Sequence, residues 1–318
     1  MVLEVFIFLV WLAILSFAAD RFVYGAAAMA KNFGISPMVI GLTIVAMGSS
    51  APEIVVSATA SLNGNINTAI GNAIGSNITN IALVLGLTAL LKPLVIASST
   101  LKREMPVLLF FSILATYMLS DLFLSRTEGI ILIVFFVAVI CALVWMSFNL
   151  ESGDPIIAET ESEIPSNVPT VKAIFWVIVG LVLLPLSANF MVDSAVIIAK
   201  SLGLSDLVIG LTIIAIGTSL PELAASIAGV LKNEDDMALG NIIGSNIFNI
   251  LAVMAMPGLI VPGAIDELAA HRDVYIMLGL NLVLILLSFN FRGVRRINRI
   301  EGLALVACFV AYQIVLFR

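Results

Sequence analysis

The chain is written twice. Shifted by 169 residues, Gly41-Leu-Thr-Ile-Val-Ala-Met-Gly-Ser-Ser-Ala-Pro-Glu53 overlies Gly210-Leu-Thr-Ile-Ile-Ala-Ile-Gly-Thr-Ser-Leu-Pro-Glu222. In the same register Gly71-Asn-Ala-Ile-Gly-Ser-Asn-Ile-Thr-Asn80 overlies Gly240-Asn-Ile-Ile-Gly-Ser-Asn-Ile-Phe-Asn249. Over 41–80 against 210–249, 20 of 40 positions are identical without a gap. Apolar helices resemble one another by chance, but chance does not set hydroxyls, amides, a proline and a carboxylate in one register. The fold must therefore be built from two like halves.

The solvent of that fold follows from composition. Of 318 residues 61% are hydrophobic and 11% charged, with a mean hydropathy of +1.16. A soluble domain carries about 25% charged residues, so a soluble enzyme and a disordered regulator are excluded. A net charge of −6 has the wrong sign for a nucleic-acid partner. Cys141 and Cys308 lie in apolar stretches, and His271 is the single histidine, which leaves no disulfide framework. Spans of about 20 apolar residues fall at 3–19 (with a continuation toward 30), 37–61, 66–91, 105–120, 128–148, 172–192, 206–230, 237–260, 273–290 and 301–317. The first has no basic flank or Ala-x-Ala cleavage site and is expected to be retained. With the N-terminus outside, the inner loops hold eleven Lys and Arg and the outer side four. The positive-inside rule then puts both termini outside.

The expected fold is an all-α polytopic membrane protein of ten transmembrane helices. A first five-helix repeat covers 1–150, an acidic linker 151–171, and a second five-helix repeat 172–318. Five is odd, so the second half enters the bilayer from the opposite face. Such inverted-topology repeats serve alternating access in secondary transporters. The linker, from Glu151-Ser-Gly-Asp-Pro to Glu163-Ile-Pro, reads as a solvated connection.

Glu53 and Glu222 each lie inside an otherwise apolar span. A charged carboxylate there costs at least about 2.5–3.5 kcal/mol on insertion scales, so a matched pair points to a function. Pro52 and Pro221 remove a backbone donor and clash with the carbonyl four residues back, on Gly48 and Gly217. The helix should break there, with the Ala46 and Ala215 carbonyls nearby, and such backbone survives at membrane depth only when buried in protein or lining a cavity. Ser49, Ser50 and Ser57 stand at −4, −3 and +4 from Glu53, as Thr218, Ser219 and Ser226 do from Glu222. For Ser57 and Ser226, back-bonding to their own helix is preferred. Asn72, Ser76 and Asn80 share one helix face, as do Asn241, Ser245 and Asn249. The Gly71/Gly75 and Gly240/Gly244 pairs permit close helix approach. Asn77 and Asn246 point a quarter-turn away and read as interhelical hydrogen-bonding groups. All-oxygen ligation suits Ca²⁺, Na⁺ or Mg²⁺. Two carboxylates balance one Ca²⁺, and its departure leaves charges that need monovalent cations or protons.

These motifs resemble the alpha repeats of the Ca²⁺/cation antiporter superfamily, and most nearly those of prokaryotic sodium/calcium exchangers. The resemblance covers nearly the whole chain and implies a ten-helix antiporter exchanging Na⁺ for Ca²⁺ across the cell membrane. It implies Glu53 and Glu222 as central Ca²⁺ ligands, joined by Ser49 and Thr218 through hydroxyl or backbone oxygens. Flanking Na⁺ sites would use Ala46, Ser50 and Ser76 from one half, and Ala215, Ser219 and Ser245 from the other. Asn80 and Asn249 would line the middle. Potassium-dependent relatives carry Asp in the second repeat where this chain has Asn249, which argues against a K⁺ requirement. Proton-coupled relatives carry a second Glu after the Gly-Asn pair, and here Gly75-Ser76 and Gly244-Ser245 stand there, which points to Na⁺. In relatives the first and sixth spans slide as gates. No cofactor and no protein partner is implied; the partners are the two ions and the bilayer. A Ca²⁺/H⁺ or other divalent cation/H⁺ antiporter is the alternative. A channel needs weak, multi-site binding, and a serine hydrolase has no nearby base.

Overall fold

The computed structural model describes residues 2–35, 46–96, 98–147, 168–231, 235–288 and 296–317. The first half opens with α1 (Val2–Asn32), followed by the short α2 (Ala46–Gly48) and α3 (Ala51–Leu62). Next comes α4 (Ile66–Ile78), which runs through a π-helical stretch at Thr79–Leu85 into α5 (Gly86–Leu91). Then follow β1 (Leu94–Val95), α6 (Ser98–Met118), β2 (Phe123–Leu124) and α7 (Arg126–Ser147). The second half begins with α8 (Thr170–Ser201). Next, α9 (Asp206–Ile209) leads through a π-helical turn at Gly210–Ile214 into α10 (Ala215–Thr218), followed by α11 (Leu220–Leu231). The third span is α12 (Asp235–Phe248), a π-helical stretch at Asn249–Val253 and α13 (Ala255–Ile260). It ends with β3 (Gly263–Ala264), a π-helical turn at Ala269–Asp273, α14 (Val274–Ser288), β4 (Arg296–Ile297) and α15 (Arg299–Leu316). Among the described residues nine helices are long and apolar enough to cross a membrane, and Ala51–Leu62 is a shorter apolar one.

Two small ribbons show that the halves are inverted. β1 pairs with β4 through Leu94↔Ile297, and β2 pairs with β3 through Phe123↔Ala264. Helix α6 runs from β1 to β2, so the ribbons lie at opposite ends of the bundle. Helix α14, its repeat mate, runs from β3 to β4 and is therefore antiparallel to it. Where the two mates meet, the Asn281 amide donates to the Ser112 hydroxyl at 2.7 Å, across 169 residues. The local pseudo-axis thus passes between a residue and its own repeat partner.

Helices α1 and α8 pair along their lengths, also antiparallel. A Cβ on Gly25 would lie 2.7 Å from the Ala173 carbonyl, Gly180 faces Phe22, and Trp11 stacks on Phe190 with centroids 4.6 Å apart. Arg21 lies against Phe17, Tyr24 and Trp176, 5.4–5.6 Å from the ring centroids, a cation–π cluster holding the pair together. The two halves interlock through α4. A Cβ on Gly71 would sit 2.6 Å from the Leu207 carbonyl, and one on Gly75 2.7 Å from Leu211 Cα. Bare glycine edges let the α4 backbone touch the α9–α10 segment of the other half, as the Gly-x-x-x-Gly spacing predicts.

Several boundaries differ from expectation. The first span is one helix over Val2–Asn32, which takes in the expected continuation of 3–19 toward 30, and the sixth is Thr170–Ser201 rather than 172–192. Hydropathy stops where polar residues enter, whereas the helix continues for as long as its mate covers it. Helix α8 thus starts inside the expected 151–171 linker. Residues 37–45 of the second span, 148 of the fifth, 289–290 of the ninth and 151–167 of the linker lie outside the described residues.

Candidate functional site

Both carboxylates sit just after a helix break. Pro52 and Pro221 occupy the first turns of α3 and α11 and cannot donate backward. The residue at the break is Ser50 in one half, with φ −91° and ψ 6°, and Ser219 in the other, with φ −82° and ψ 0°. The two halves adopt the same bridge-region turn. Hydrogen bonding resumes beyond it, Ile54 N–H to the Ser50 carbonyl and Leu223 N–H to the Ser219 carbonyl, both at 3.1 Å. Glu53 and Glu222 thus enter on the N-terminal turns of α3 and α11.

The breaks meet in the middle of the bundle. Glu53 and Glu222 are both fully buried. Thr218 lies beside the Glu53 carboxylate and Ser245 beside that of Glu222, yet none of the four carboxylate oxygens is in hydrogen-bonding geometry with a partner. The hydroxyls of Ser50, Ser76 and Ser219, the Asn80 Oδ1 and both amide atoms of Asn249 are likewise buried and unsatisfied. A buried polar atom without a partner costs about 1–3 kcal/mol, and more when charged. These unsatisfied oxygens are hard donors that stand next to the two carboxylates in sequence or on the neighbouring helices α4 and α12.

The remaining expected residues are partly occupied. The hydroxyls of Ser49 and Ser245 lie 3.2 Å apart across the halves. The Thr218 hydroxyl donates to the Ile214 carbonyl at 3.1 Å, keeping its lone pairs. The Ala215 carbonyl accepts from Ser219 N–H at 3.1 Å, with the Thr218 hydroxyl 3.5 Å away. Ala46 opens α2 directly before the break. Two of the four π-helical stretches among the described residues begin at or beside a site amide, Thr79 next to Asn80 and Asn249 itself. Such bulges collect at functional sites because they release and re-aim backbone and side chains.

Asn72 acts here in a way its spacing did not reveal. The Asn72 amide donates to the Glu53 carbonyl at 3.1 Å, and the Thr218 hydroxyl lies 3.5 Å from its Oδ1. Asn72 had a place on the site-facing side of α4, but the tie to the backbone of Glu53 depends on the packing of α3 against α4. Asn246 accepts from the Asn80 amide at 3.1 Å, which uses one of its two N–H groups, while the Asn80 Oδ1 has no hydrogen-bond partner. This is the interhelical role expected of Asn246. Asn77 departs from that reading: its amide donates to the Ala73 carbonyl of its own helix at 2.9 Å. Ser57 departs in the other sense, donating to the Val253 carbonyl at 2.9 Å across the halves. A π-helical segment exposes that carbonyl, and no sequence spacing announces it. The Ser226 hydroxyl is buried without a partner, so its expected back-bond is absent as well.

Comparison with known proteins bears on this arrangement. The sequence profile described as "Sodium/calcium exchanger protein" matches residues 3–145 and again 172–318. CaxA of Alkalimonas amylolytica is 55% identical, over 97% of both chains. The inner membrane protein YrbG of Escherichia coli (strain K12) is 40% identical, over 100% of this chain and 98% of its own. Among solved structures, the sodium-calcium exchanger NCX_Mj soaked with Na⁺ and Sr²⁺ superposes with a TM-score of 0.65 at 34% identity, over 98% of both chains.

Proposed function

The chain belongs to the sodium/calcium exchanger family, and we propose that it is a Na⁺-driven Ca²⁺ antiporter working by alternating access. It is a multi-pass membrane transporter of the cation/Ca²⁺ exchanger class. The observation that carries the finer reading is the set of unsatisfied buried oxygens that Ser50, Ser76, Asn80, Ser219 and Asn249 share with Glu53 and Glu222. These are hard oxygen donors accompanied by two formal negative charges, suited to Ca²⁺ and to Na⁺ of similar radius; Mg²⁺ demands a tighter octahedron.

In this reading Glu53 and Glu222 bind Ca²⁺ directly, with Ser49 and Thr218 completing its oxygen shell. Ala46, Ser50 and Ser76 hold one flanking Na⁺, and Ala215, Ser219 and Ser245 the other, while Asn80 and Asn249 line the space between. One Ca²⁺ or two Na⁺ balance the carboxylates. Any further Na⁺ sits on neutral oxygens and brings net positive charge, so exchange is electrogenic and responds to voltage by about 2.3 kcal/mol per charge per 100 mV. Asn249 in place of an acid keeps K⁺ out of the cycle. The protein resides in the cell membrane, as its inner-membrane relative does by name, with both termini outside.

The test is ⁴⁵Ca²⁺ uptake into proteoliposomes under imposed gradients. Uptake should follow an outward Na⁺ gradient, respond to an imposed potential, proceed without K⁺, and fall at low pH as protons occupy the carboxylates. Uptake driven as well by a pH gradient with Na⁺ absent from both sides would assign the chain to proton-coupled exchange instead.

A further inference from the structure

The halves are alike in sequence, but the two sides of the site are not alike in contact. Helix α8 packs along α3, and Val56 on α3 is buried with Leu184, Ala188 and Met191 of α8. The repeat mate of that contact is α1 on α11. Among the described residues α1 makes no comparable packing with α11, and Ala225, the mate of Val56, is exposed.

The polar contacts differ in the same sense. Asn72 is tied to the Glu53 carbonyl at 3.1 Å, with Thr218 3.5 Å from its amide oxygen. The mate of this clamp is Asn241 on the Glu222 carbonyl with Ser49 at its amide oxygen. It is not made: the Asn241 Nδ2 is buried without a partner, and Ser49 pairs instead with Ser245, one turn further along α12. The mate of that pair, Thr218 with Ser76, is not made either, and the Ser76 hydroxyl is unsatisfied. A buried amide donor left unpaired is costly, so a state in which Asn241 finds its partner compensates for the loss of the Asn72 clamp.

We propose that Asn72 is a positioning residue whose amide holds the Glu53 backbone in the state described here, and that Asn241 makes the mate clamp on the Glu222 carbonyl in the opposite state. In that exchange Ser49 passes from Ser245 to Asn241, and Thr218 passes from Asn72 to Ser76, each between positions one helical turn apart. Neither asparagine needs to touch an ion. Each secures the carboxylate-bearing turn on one half while the other is released. The inference rests on reading Glu53 and Glu222 as one exchange site, but its test reads conformation rather than flux, so a failure of Na⁺ coupling leaves it standing.

The test uses the full-length protein, purified, with Cys141 and Cys308 replaced by Ser. Single probes are introduced as Ala225→Cys, exposed in this state, and Val56→Cys, buried in it. A charged maleimide reports which thiol is wet. Asn72→Ala should slow labelling at the Ala225 probe and speed it at the Val56 probe, each by about two- to tenfold, the weight of one hydrogen bond. Asn241→Ala should do the reverse. Changes of the same sign at both probes mean that the asparagines only support folding, and unchanged rates mean that the clamps do not select the state; either result overturns the proposal. Should Asn72→Ala fail to yield monodisperse protein, Asn72→Asp removes the same donor while keeping the oxygen, and must shift the probes in the same direction.

Discussion

Glu53 and Glu222 are the residues for which a single atom decides the outcome. Glutamine keeps the volume of the side chain but removes the charge that holds a divalent ion in a low-dielectric site. Glu53→Gln and Glu222→Gln are each expected to abolish ⁴⁵Ca²⁺ exchange in proteoliposomes while the protein elutes as a folded, monodisperse species. Exchange near the wild-type rate in either variant would remove that residue from the ion's ligands. Asn246 operates one step further out. Its Oδ1 accepts from the Asn80 amide, so Asn246→Leu should let the Asn80 amide turn and raise the apparent KM for Ca²⁺ by about two- to tenfold with less effect on kcat. An equal fall in both parameters would show that Asn246 does not act through ground-state ion binding.

At the level of elements, the broken helices and the α4 crossing carry the design, and they respond to substitution in opposite ways. Pro52→Ala and Pro221→Ala restore a backbone donor opposite Gly48 and Gly217, so the helix can close over its break. Thermal unfolding in detergent should occur at the wild-type temperature or higher, while Ca²⁺ exchange falls. A variant that loses stability and keeps its activity would show that the break is structural only. Gly71 and Gly75 are different, because a Cβ there meets backbone of the other half at 2.6 and 2.7 Å. Overpacking of this kind costs about 1–3 kcal/mol, so Gly71→Ala and Gly75→Ala should lower the unfolding temperature, and activity should be lost only together with the fold.

The whole molecule is defined by its inversion, and the two ribbons give that a direct test. Asn63 lies at the end of the bundle that holds β2 and β3, and Val95 is in β1 at the other. In a cysteine-free background, Asn63→Cys should label from outside intact cells and Val95→Cys only from the cytoplasmic face of inverted vesicles. The reverse pattern would turn the whole molecule over without disturbing the repeat. Labelling of both from one face would contradict the inversion itself.

The sequence by itself determined the repeat, the membrane as solvent and the buried carboxylates. Each of these is a matter of residue type at a fixed spacing, and an acidic side chain or a proline inside an apolar span has few physical outcomes. The breaks at Ser50 and Ser219 were legible for that reason, and so was the close approach at Gly71 and Gly75. Tertiary structure decided what depends on neighbours distant in the chain. The length of α1 is set by its pairing with α8 rather than by its own hydropathy. Ser57 turned to Val253, whose carbonyl a π-helical segment exposes, and Asn77 turned to its own helix. Two halves with one motif also cannot announce which clamp is closed. That asymmetry lies, among the described residues, in the packing of α8 on α3 without its mate, α1 on α11, and contacts between elements distant in the chain leave no mark in a repeated motif.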